Sequence, residues 1–140
     1  MIMAVDTNRY RDFCEGVEDA VERFRSADRI LMPFPVLAEL RAGFASGTLS
    51  RRNEGVLSRF LNRPRVVCLF ADEQTTFHYA RIYRQLREQG TPIPTNDMWL
   101  AALVEQHNLL LYSRDRHFDH LPQLARIGVI GVRIREREKS

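Results

Sequence analysis

The chain has 140 residues, of which 44% are hydrophobic and 28% are charged, and its formal net charge at pH 7 is +3. This length and balance are typical of one soluble globular domain with a substantial core, and they exclude a disordered or fibrous protein. No apolar run is long enough to cross a bilayer, and the apolar run at residues 1–5 meets an acid too early for a signal peptide. We therefore expect a cytoplasmic protein, whose mild positive charge is compatible with nucleic acid without requiring it.

The two cysteines have no spacing typical of metal ligands. Cys14 and Cys68 both lie in apolar surroundings in the sequence. We predict that both are reduced thiols in the core, as is usual in a reducing compartment, and that they form neither a disulfide nor a zinc site.

Short apolar runs alternate with stretches of helical spacing along the whole chain. The short runs predict buried strands and the longer periodic stretches predict helices. Gly16 divides the first helical stretch and Gly90 ends the longest one. In chain order, we predict strands at 2–5, 30–32, 66–70, 109–112 and 127–134, separated by helices at 9–26, 33–47, 49–62, 73–89 and 95–104.

Side-chain oxygens mark the starts of two of these helices. Asp72 is placed to cap the long helix, and Thr95 or Asn96 is placed to cap the next one, which puts Asp97 in its first turn. Phe118 and Leu121 predict a further helical turn after the fourth strand. We expect residues 1–133 to form one domain and residues 134–140 to be a frayed, charged C-terminal tail.

Strands that alternate with helices predict an α/β layer fold with a mostly parallel sheet, whose sites lie outside the carboxyl ends of the strands. Asp6 and Asp115 each follow a strand, Asp97 opens a helix, and Glu39 lies near the start of another. We therefore expect these four acids, from four separate segments, to meet at one edge of the sheet.

Clustered carboxylates must either take up protons or hold cations, and oxygen ligands select hard divalent ions such as Mg²⁺ or Mn²⁺. Such ions, one or two of them, promote phosphodiester hydrolysis. Each acid also has a simpler interpretation, as a turn residue, a helix cap or a solvated charge. Asp119 is a possible fifth ligand, whereas His117 and His120 are predicted to be surface residues.

Polar and basic residues flank the predicted acid cluster. Asn8 and Ser113 could hydrogen-bond an acid or a bound water. Arg9, Arg114 and Arg116 could contact RNA or DNA phosphates, although each could equally be a solvated surface charge. The sequence has no glycine-rich phosphate loop, and its single lysine, Lys139, argues against a phospho-acceptor receiver domain.

Four short motifs, in this order and spacing, resemble the PIN domain over about residues 2–131, and the length of the chain is similar to that of VapC toxins of toxin–antitoxin pairs. The motifs are VDTN at 5–8, LAEL at 37–40, NDMWLAA at 96–102 and SRDRHF at 113–118.

This resemblance implies a three-layer fold with a parallel sheet in strand order 3-2-1-4-5. It implies a Mg²⁺- or Mn²⁺-dependent endoribonuclease in which Asp6, Glu39, Asp97 and Asp115 bind the metal. Asn8 and Ser113 match supporting polar positions, and Asp119 matches a position that is acidic in some members only.

The resemblance also implies partners. It predicts a homodimer and a VapB-type antitoxin, together forming a heterotetramer or larger assembly, with the antitoxin tail in a groove near Phe44, Leu49 and Phe60. Two other functions remain open from sequence: a nucleic-acid-processing nuclease without an antitoxin, and a catalytically idle binding module. The RNA target is not determined, and transfer RNA is only one candidate.

Overall fold

The computed structural model describes residues 1–128, so the predicted tail at 134–140 and most of the predicted last strand lie outside the described residues. All five strands pair in parallel, in the order β3-β2-β1-β4-β5, which confirms the predicted α/β class and strand order. The strands are β1 (Ile2–Val5), β2 (Arg29–Pro33), β3 (Val66–Leu69), β4 (Leu110–Tyr112) and β5 (Ala125–Ile127).

Helices connect the strands and complete the layers. A 3₁₀ turn, Arg116–His120, follows β4 where the sequence predicts a helical turn. The helices are α1 (Thr7–Cys14), α2 (Glu18–Ser26), α3 (Phe34–Ser46), α4 (Ser50–Leu61), α5 (Glu73–Gln89) and α6 (Thr95–His107).

β1 is the central strand, and its sequence shows why. Met3, Ala4 and Val5 are completely buried, as expected for a parallel strand covered on both faces. β2 pairs along one side of β1 and β4 along the other. The residues that follow β1 and β4 therefore emerge side by side at the carboxyl edge of the sheet.

Helix ends mostly follow the sequence signals. Asp72 and Thr75 form a reciprocal cap at the start of α5, and Gly90 ends that helix with a left-handed φ of 69°. The predicted cap of α6 is wrong, because Thr95 is already helical and Pro94 precedes it in an extended conformation. The Pro94 carbonyl accepts from the Met98 N–H at 3.1 Å, and no side chain caps the start of this helix.

The last strand begins at Ala125, two residues before the predicted start at 127. The prediction missed this start because Arg126 was not read as a strand residue, whereas its side chain is buried. Residues 129–134 of that predicted strand lie outside the described part of the chain.

The cysteine prediction is only partly correct. Cys14 is exposed at the end of α1 and Cys68 is half-buried, and both are free thiols. Cys14 is the last residue of α1, whereas the buried residues of this helix lie between Thr7 and Asp12. Separately, no helix within residues 1–128 is long and apolar enough to cross a membrane.

Candidate metal centre

A cleft of about 290 Å³ opens at the carboxyl edge of the sheet. The four acids singled out from the sequence line it, although they come from four different segments of the chain. Its full lining is Asp6, Thr7, Asn8, Arg11, Pro35, Val36, Glu39, Ala42, Asn96, Asp97, Leu100 and Asp115.

Asp6 stands where β1 ends and α1 begins, and it is buried. Its Oδ1 caps α1 by accepting from the Arg9 backbone N–H at 3.0 Å, and its Oδ2 accepts from the Ser113 hydroxyl. Burial raises the pKa of Asp6 above its ordinary 3.8, although both hydrogen bonds oppose the shift. The charge of Asp115 also raises this pKa, so the two carboxylates repel each other.

Asp97 lies in the first turn of α6, with its side chain 16% exposed. Desolvation is the largest cause that raises its pKa above 3.8, and a hydrogen bond from His117 opposes it. The charges of Asp115 and Glu39 raise the pKa of Asp97 further. These carboxylates are therefore close enough to repel one another.

Glu39 approaches from α3, the helix that follows β2. Its Oε2 accepts from the Thr7 hydroxyl at 2.9 Å, which ties α3 to the first residue of α1. Sequence reasoning missed Thr7, although its position directly after Asp6 was a usable signal.

Ser113 links two of the acids from the end of β4. It is completely buried, and its hydroxyl donates to Asp6 and accepts from the Asp115 backbone N–H at 3.0 Å. Asn8, the other predicted supporting residue, is exposed and lines the cleft.

His117 was predicted to be a surface residue rather than a ligand; it is partly exposed, but its ring contacts two of the acids, which we did not predict from the sequence. Its Nδ1 lies 2.7 Å from Asp97 Oδ2 and 3.1 Å from Asp115 Oδ1, with the side chain 45% exposed. Its backbone N–H also donates to Asp115 Oδ1 at 2.9 Å, because Asp115 caps the 3₁₀ turn. The usable signal in the sequence was the position of His117 two residues after Asp115, because an aspartate side chain commonly accepts a hydrogen bond from the backbone N–H two residues further along the chain. His120 is exposed, as expected.

Asp119 is the acid that does not line the cleft. Its Oδ1 instead accepts from Arg126 Nη1 at 2.5 Å. The buried Arg126 guanidinium also donates to the carbonyls of Ser113 at 3.1 Å and Asp115 at 2.9 Å. The structure thus gives Asp119 a role as the partner of Arg126, which sequence reasoning did not single out at all.

The three arginines predicted to contact phosphates differ in how far they are buried. Arg9 is buried, donates to the Gly128 carbonyl at 3.0 Å and lies over the Tyr112 ring, so the structure contradicts its prediction as a phosphate contact. Its guanidinium is used inside the fold.

Two arginines with exposed surface remain beside the acids. Arg114 makes two hydrogen bonds to Asp12, at 3.1 and 3.2 Å, and keeps 54% of its side chain exposed. Arg116 is exposed at the start of the 3₁₀ turn. Arg11 also lines the cleft and was missed in the sequence.

The donor set fits a divalent metal ion. One ligand atom each from Asp97, Asp115 and His117 lie within 4.8 Å of one another, while Asp6 and Glu39 line the same cleft. Carboxylates with raised pKa values and mutual repulsion gain from a bound cation, and carboxylate oxygens suit Mg²⁺ and Mn²⁺.

The fold and the site together define an α/β protein with an acidic cleft at the carboxyl edge of a parallel sheet. A comparison with protein families finds the PIN domain over residues 4–124, and the chain belongs to that family. PIN-domain nucleases generally use divalent metal ions, and the acidic cluster described above is consistent with that requirement.

Individual relatives match over nearly their whole length. The chain is 29% identical over 129 residues to ribonuclease VapC1 of Haemophilus influenzae strain R2866, covering 89% of this chain and 95% of that protein. The structure is similar to DNA-bound VapBC from Salmonella typhimurium, with a TM-score of 0.82 and 26% identity over 92% of this chain and 98% of that one. VapBC-1 from nontypeable Haemophilus influenzae gives a TM-score of 0.80 at 27% identity, over 90% of this chain and 96% of that one.

Proposed function

We propose that this protein is a metal-dependent endoribonuclease toxin of a VapBC-type toxin–antitoxin pair. The observation that carries the proposal is the convergence of Asp6, Glu39, Asp97 and Asp115 on one cleft. Similarity to ribonuclease VapC1 supports RNA as the substrate, and similarity to VapBC structures supports an antitoxin partner.

The four acids are better explained by a bound cation than by stability of the fold. Burial and neighbouring carboxylates disfavour the charged forms of Asp6 and Asp97, as their raised pKa values show. Groups that destabilise the fold in this way are typical of functional sites. We assign Mg²⁺ or Mn²⁺ as the ion, with all four acids as its ligands directly or through water.

Neighbouring side chains hold these acids in place for catalysis. When bound, the metal supplies a Lewis acid that neutralises charge on the scissile phosphate and lowers the pKa of water. Ser113 orients Asp6, and Thr7 orients Glu39, so that each carboxylate keeps lone pairs for the ion. Asn8, at the rim, is placed to hydrogen-bond a water or the substrate.

Arginines beside the cleft would contact the neighbouring RNA phosphates. Asp12 engages two of the five N–H donors of Arg114, which fixes the guanidinium while half of its side chain stays exposed. Arg116 lies on the 3₁₀ turn next to Asp115, and Arg11 lines the cleft itself. We assign all three to phosphate binding, without base specificity.

The antitoxin would bind in an apolar groove that adjoins the acid cleft. This groove has a volume of about 430 Å³, includes Phe44 and Leu49, and shares Arg11 with the cleft. Phe60 does not take part, because it is buried against Tyr10 and Phe24. We propose that the toxin acts in the cytoplasm as a homodimer and joins its antitoxin in a heterotetramer or larger assembly.

Co-expression with a small DNA-binding protein encoded beside this chain's gene tests the pairing. We expect a stable complex in which RNA cleavage is suppressed. Nuclease activity that no neighbouring gene product suppresses would instead indicate a nuclease without an antitoxin.

Cleavage of a mixed RNA substrate by the full-length protein tests the enzymatic assignment. We expect cleavage with Mg²⁺ or Mn²⁺, its loss in EDTA, and a loss of at least about a hundredfold in Asp97→Asn or Glu39→Gln. Glu88→Gln is the matched control, because Glu88 is an exposed acid on α5 that does not line the cleft. Cleavage that resists EDTA, or equal activity in all three variants, would contradict the proposal.

A further inference from the structure

The His117 ring lies beside the four acids assigned to the metal and is not itself one of them. His117 Nδ1 lies within 3.1 Å of one oxygen from each of two acids, Asp97 and Asp115. The imidazole therefore faces the carboxylates that the proposed function assigns to the metal, although it comes from the 3₁₀ turn rather than from a helix or strand of the main layers.

The two distances from Nδ1 are compatible with neighbouring ligands of one ion. Adjacent ligands about 2.1 Å from an octahedral ion lie about 3 Å apart. The two distances from Nδ1, 2.7 Å to Asp97 and 3.1 Å to Asp115, bracket that value. One ligand atom from each of the three residues also lies within 4.8 Å of the others, so the three are grouped closely enough to be candidates for one ion.

Local structure holds the ring in this orientation. The backbone N–H of His117 donates to Asp115 Oδ1, which ties the Asp115 carboxylate to the backbone that carries the ring. Phe118, the next residue, is buried in the core and anchors the turn. In the metal-free site Nδ1 bonds Asp97 Oδ2; with an ion bound, the ring proton would lie on Nε2 and the Nδ1 lone pair would face the ion together with the carboxylate oxygens.

We propose that His117 is a direct nitrogen ligand of the metal ion and that it makes the site prefer Mn²⁺ to Mg²⁺. The inference rests on the proposed function, because it takes the acid cleft as the metal centre. Carboxylates accept both ions, whereas Mg²⁺ keeps an oxygen shell and Mn²⁺, as a first-row transition ion, accepts an imidazole nitrogen more readily than Mg²⁺ does. One nitrogen ligand among oxygen ligands therefore makes the site distinguish Mn²⁺ from Mg²⁺, which carboxylates alone bind similarly.

Pulsed electron paramagnetic resonance of bound Mn²⁺ tests the ligand directly, without any measurement of catalysis. We expect the echo of Mn²⁺ bound to the full-length wild-type protein to show modulation from a coordinated imidazole nitrogen. His117→Gln should bind Mn²⁺ without that modulation. His120→Gln, the same substitution at an exposed histidine three residues away, should keep it.

The free Mn²⁺ signal in the same spectrometer measures selectivity, with Mg²⁺ added as competitor. We expect His117→Gln to lower the preference for Mn²⁺ over Mg²⁺ by at least about tenfold, the scale on which even outer partners of metal ligands act. His120→Gln should leave the ratio unchanged. Circular dichroism confirms that both variants are folded.

The possible outcomes separate this inference from the proposed function. Bound Mn²⁺ without imidazole modulation in the wild type, or an unchanged ion preference in His117→Gln, would overturn the role of His117 and leave the acid site intact. Tighter Mn²⁺ binding in His117→Gln would also overturn it, because the imidazole would then compete with the ion. No binding of either ion to the wild type would overturn the proposed function as well.

Discussion

Asp97 shows how one residue can weaken the fold and serve the site. Its carboxylate is partly desolvated at the mouth of a buried helix and faces the charges of Asp115 and Glu39. The helix dipole and His117 favour the charged form, but the raised pKa shows that burial and repulsion outweigh them. Without a cation, ionised Asp97 therefore opposes folding.

The pH dependence of stability should reveal this opposition in the Asp97→Asn variant. The pKa of Asp97 in the folded state is raised above 3.8, so between the unfolded-state and folded-state pKa values the native state binds more protons than the unfolded state. The free energy of unfolding of the wild type therefore falls as the pH rises through this range. We expect the free energy of unfolding of Asp97→Asn, relative to wild type, to increase from acidic to neutral pH. Urea titrations in EDTA at several pH values measure it.

Asp72→Asn is the matched control, because its stability relative to wild type should change with pH in the opposite direction. Hydrogen bonds from Gln106 and from the Thr75 backbone lower the pKa of Asp72, so its contribution is present at neutral pH and is lost as pH falls. Relative to wild type, this variant should therefore lose stability towards neutral pH. Parallel pH profiles for the two variants would contradict the electrostatic account of Asp97.

Gly128 is a second residue whose identity the structure explains. Its φ is 76°, and an added Cβ would lie 2.7 Å from Tyr112 Cε1 and 3.3 Å from Arg9 Nη2. We expect Gly128→Ala to lower the free energy of unfolding by about 2–4 kcal/mol, from backbone strain plus overpacking. Equilibrium urea denaturation measures the change.

Gly16→Ala isolates the backbone contribution to that loss. Gly16 has nearly the same φ, 78°, but an added Cβ meets no heavy atom within 4 Å. The free energy of unfolding of Gly16→Ala should fall by only about 1–2 kcal/mol, from backbone strain alone. Equal losses at the two glycines would show that the Tyr112 contact does not matter.

At the scale of elements, Arg126 connects β5 to the loop that carries Asp115. Its guanidinium bonds two loop carbonyls and Asp119, and it lies against the Phe118 ring. Because these carbonyls belong to Ser113 and Asp115, β5 at the edge of the sheet fixes one wall of the acidic cleft. Asp119 contributes to the site through Arg126.

Replacing Arg126 should loosen that wall. We expect Arg126→Met to lower the free energy of unfolding by about 2–4 kcal/mol, because it leaves buried carbonyls without donors and Asp119 without its partner. Arg126→Lys should lose less, since it keeps the charge but only part of the hydrogen bonding. Urea denaturation gives the stability, and equal stability of Arg126→Met and wild type would contradict the structural role.

Elements with strong local signals were predicted well, and those fixed by tertiary contacts were not. β1, α5 and the cap at Asp72 follow from apolar runs, helical spacing and short polar side chains. The start of β5 and the contacts of His117 depend on partners far away in sequence, such as Asp97, twenty residues before His117. A buried arginine is indistinguishable from a surface one until its carbonyl partners are known.

At the scale of the whole molecule, the topology itself assembles the site. β1 and β4 are neighbours in a parallel sheet, and the Asp6 N–H continues their pairing by donating to the Tyr112 carbonyl at 3.4 Å. Asp6 and Ser113 therefore emerge together, while the starts of α3 and α6 bring Glu39 and Asp97 to the same cleft. This convergence was predictable from strand order, whereas Arg9 was misassigned because burial of a charged side chain cannot be read from spacing.

Calorimetric titration of Mn²⁺ into the metal-free, full-length protein tests the central claim most directly. The account predicts saturable binding that is severely weakened in Asp97→Asn and in Glu39→Gln, each shown to be folded, and unchanged in Glu88→Gln. A wild-type protein that takes up no divalent ion, or acid variants that bind it as tightly as wild type, would contradict the account.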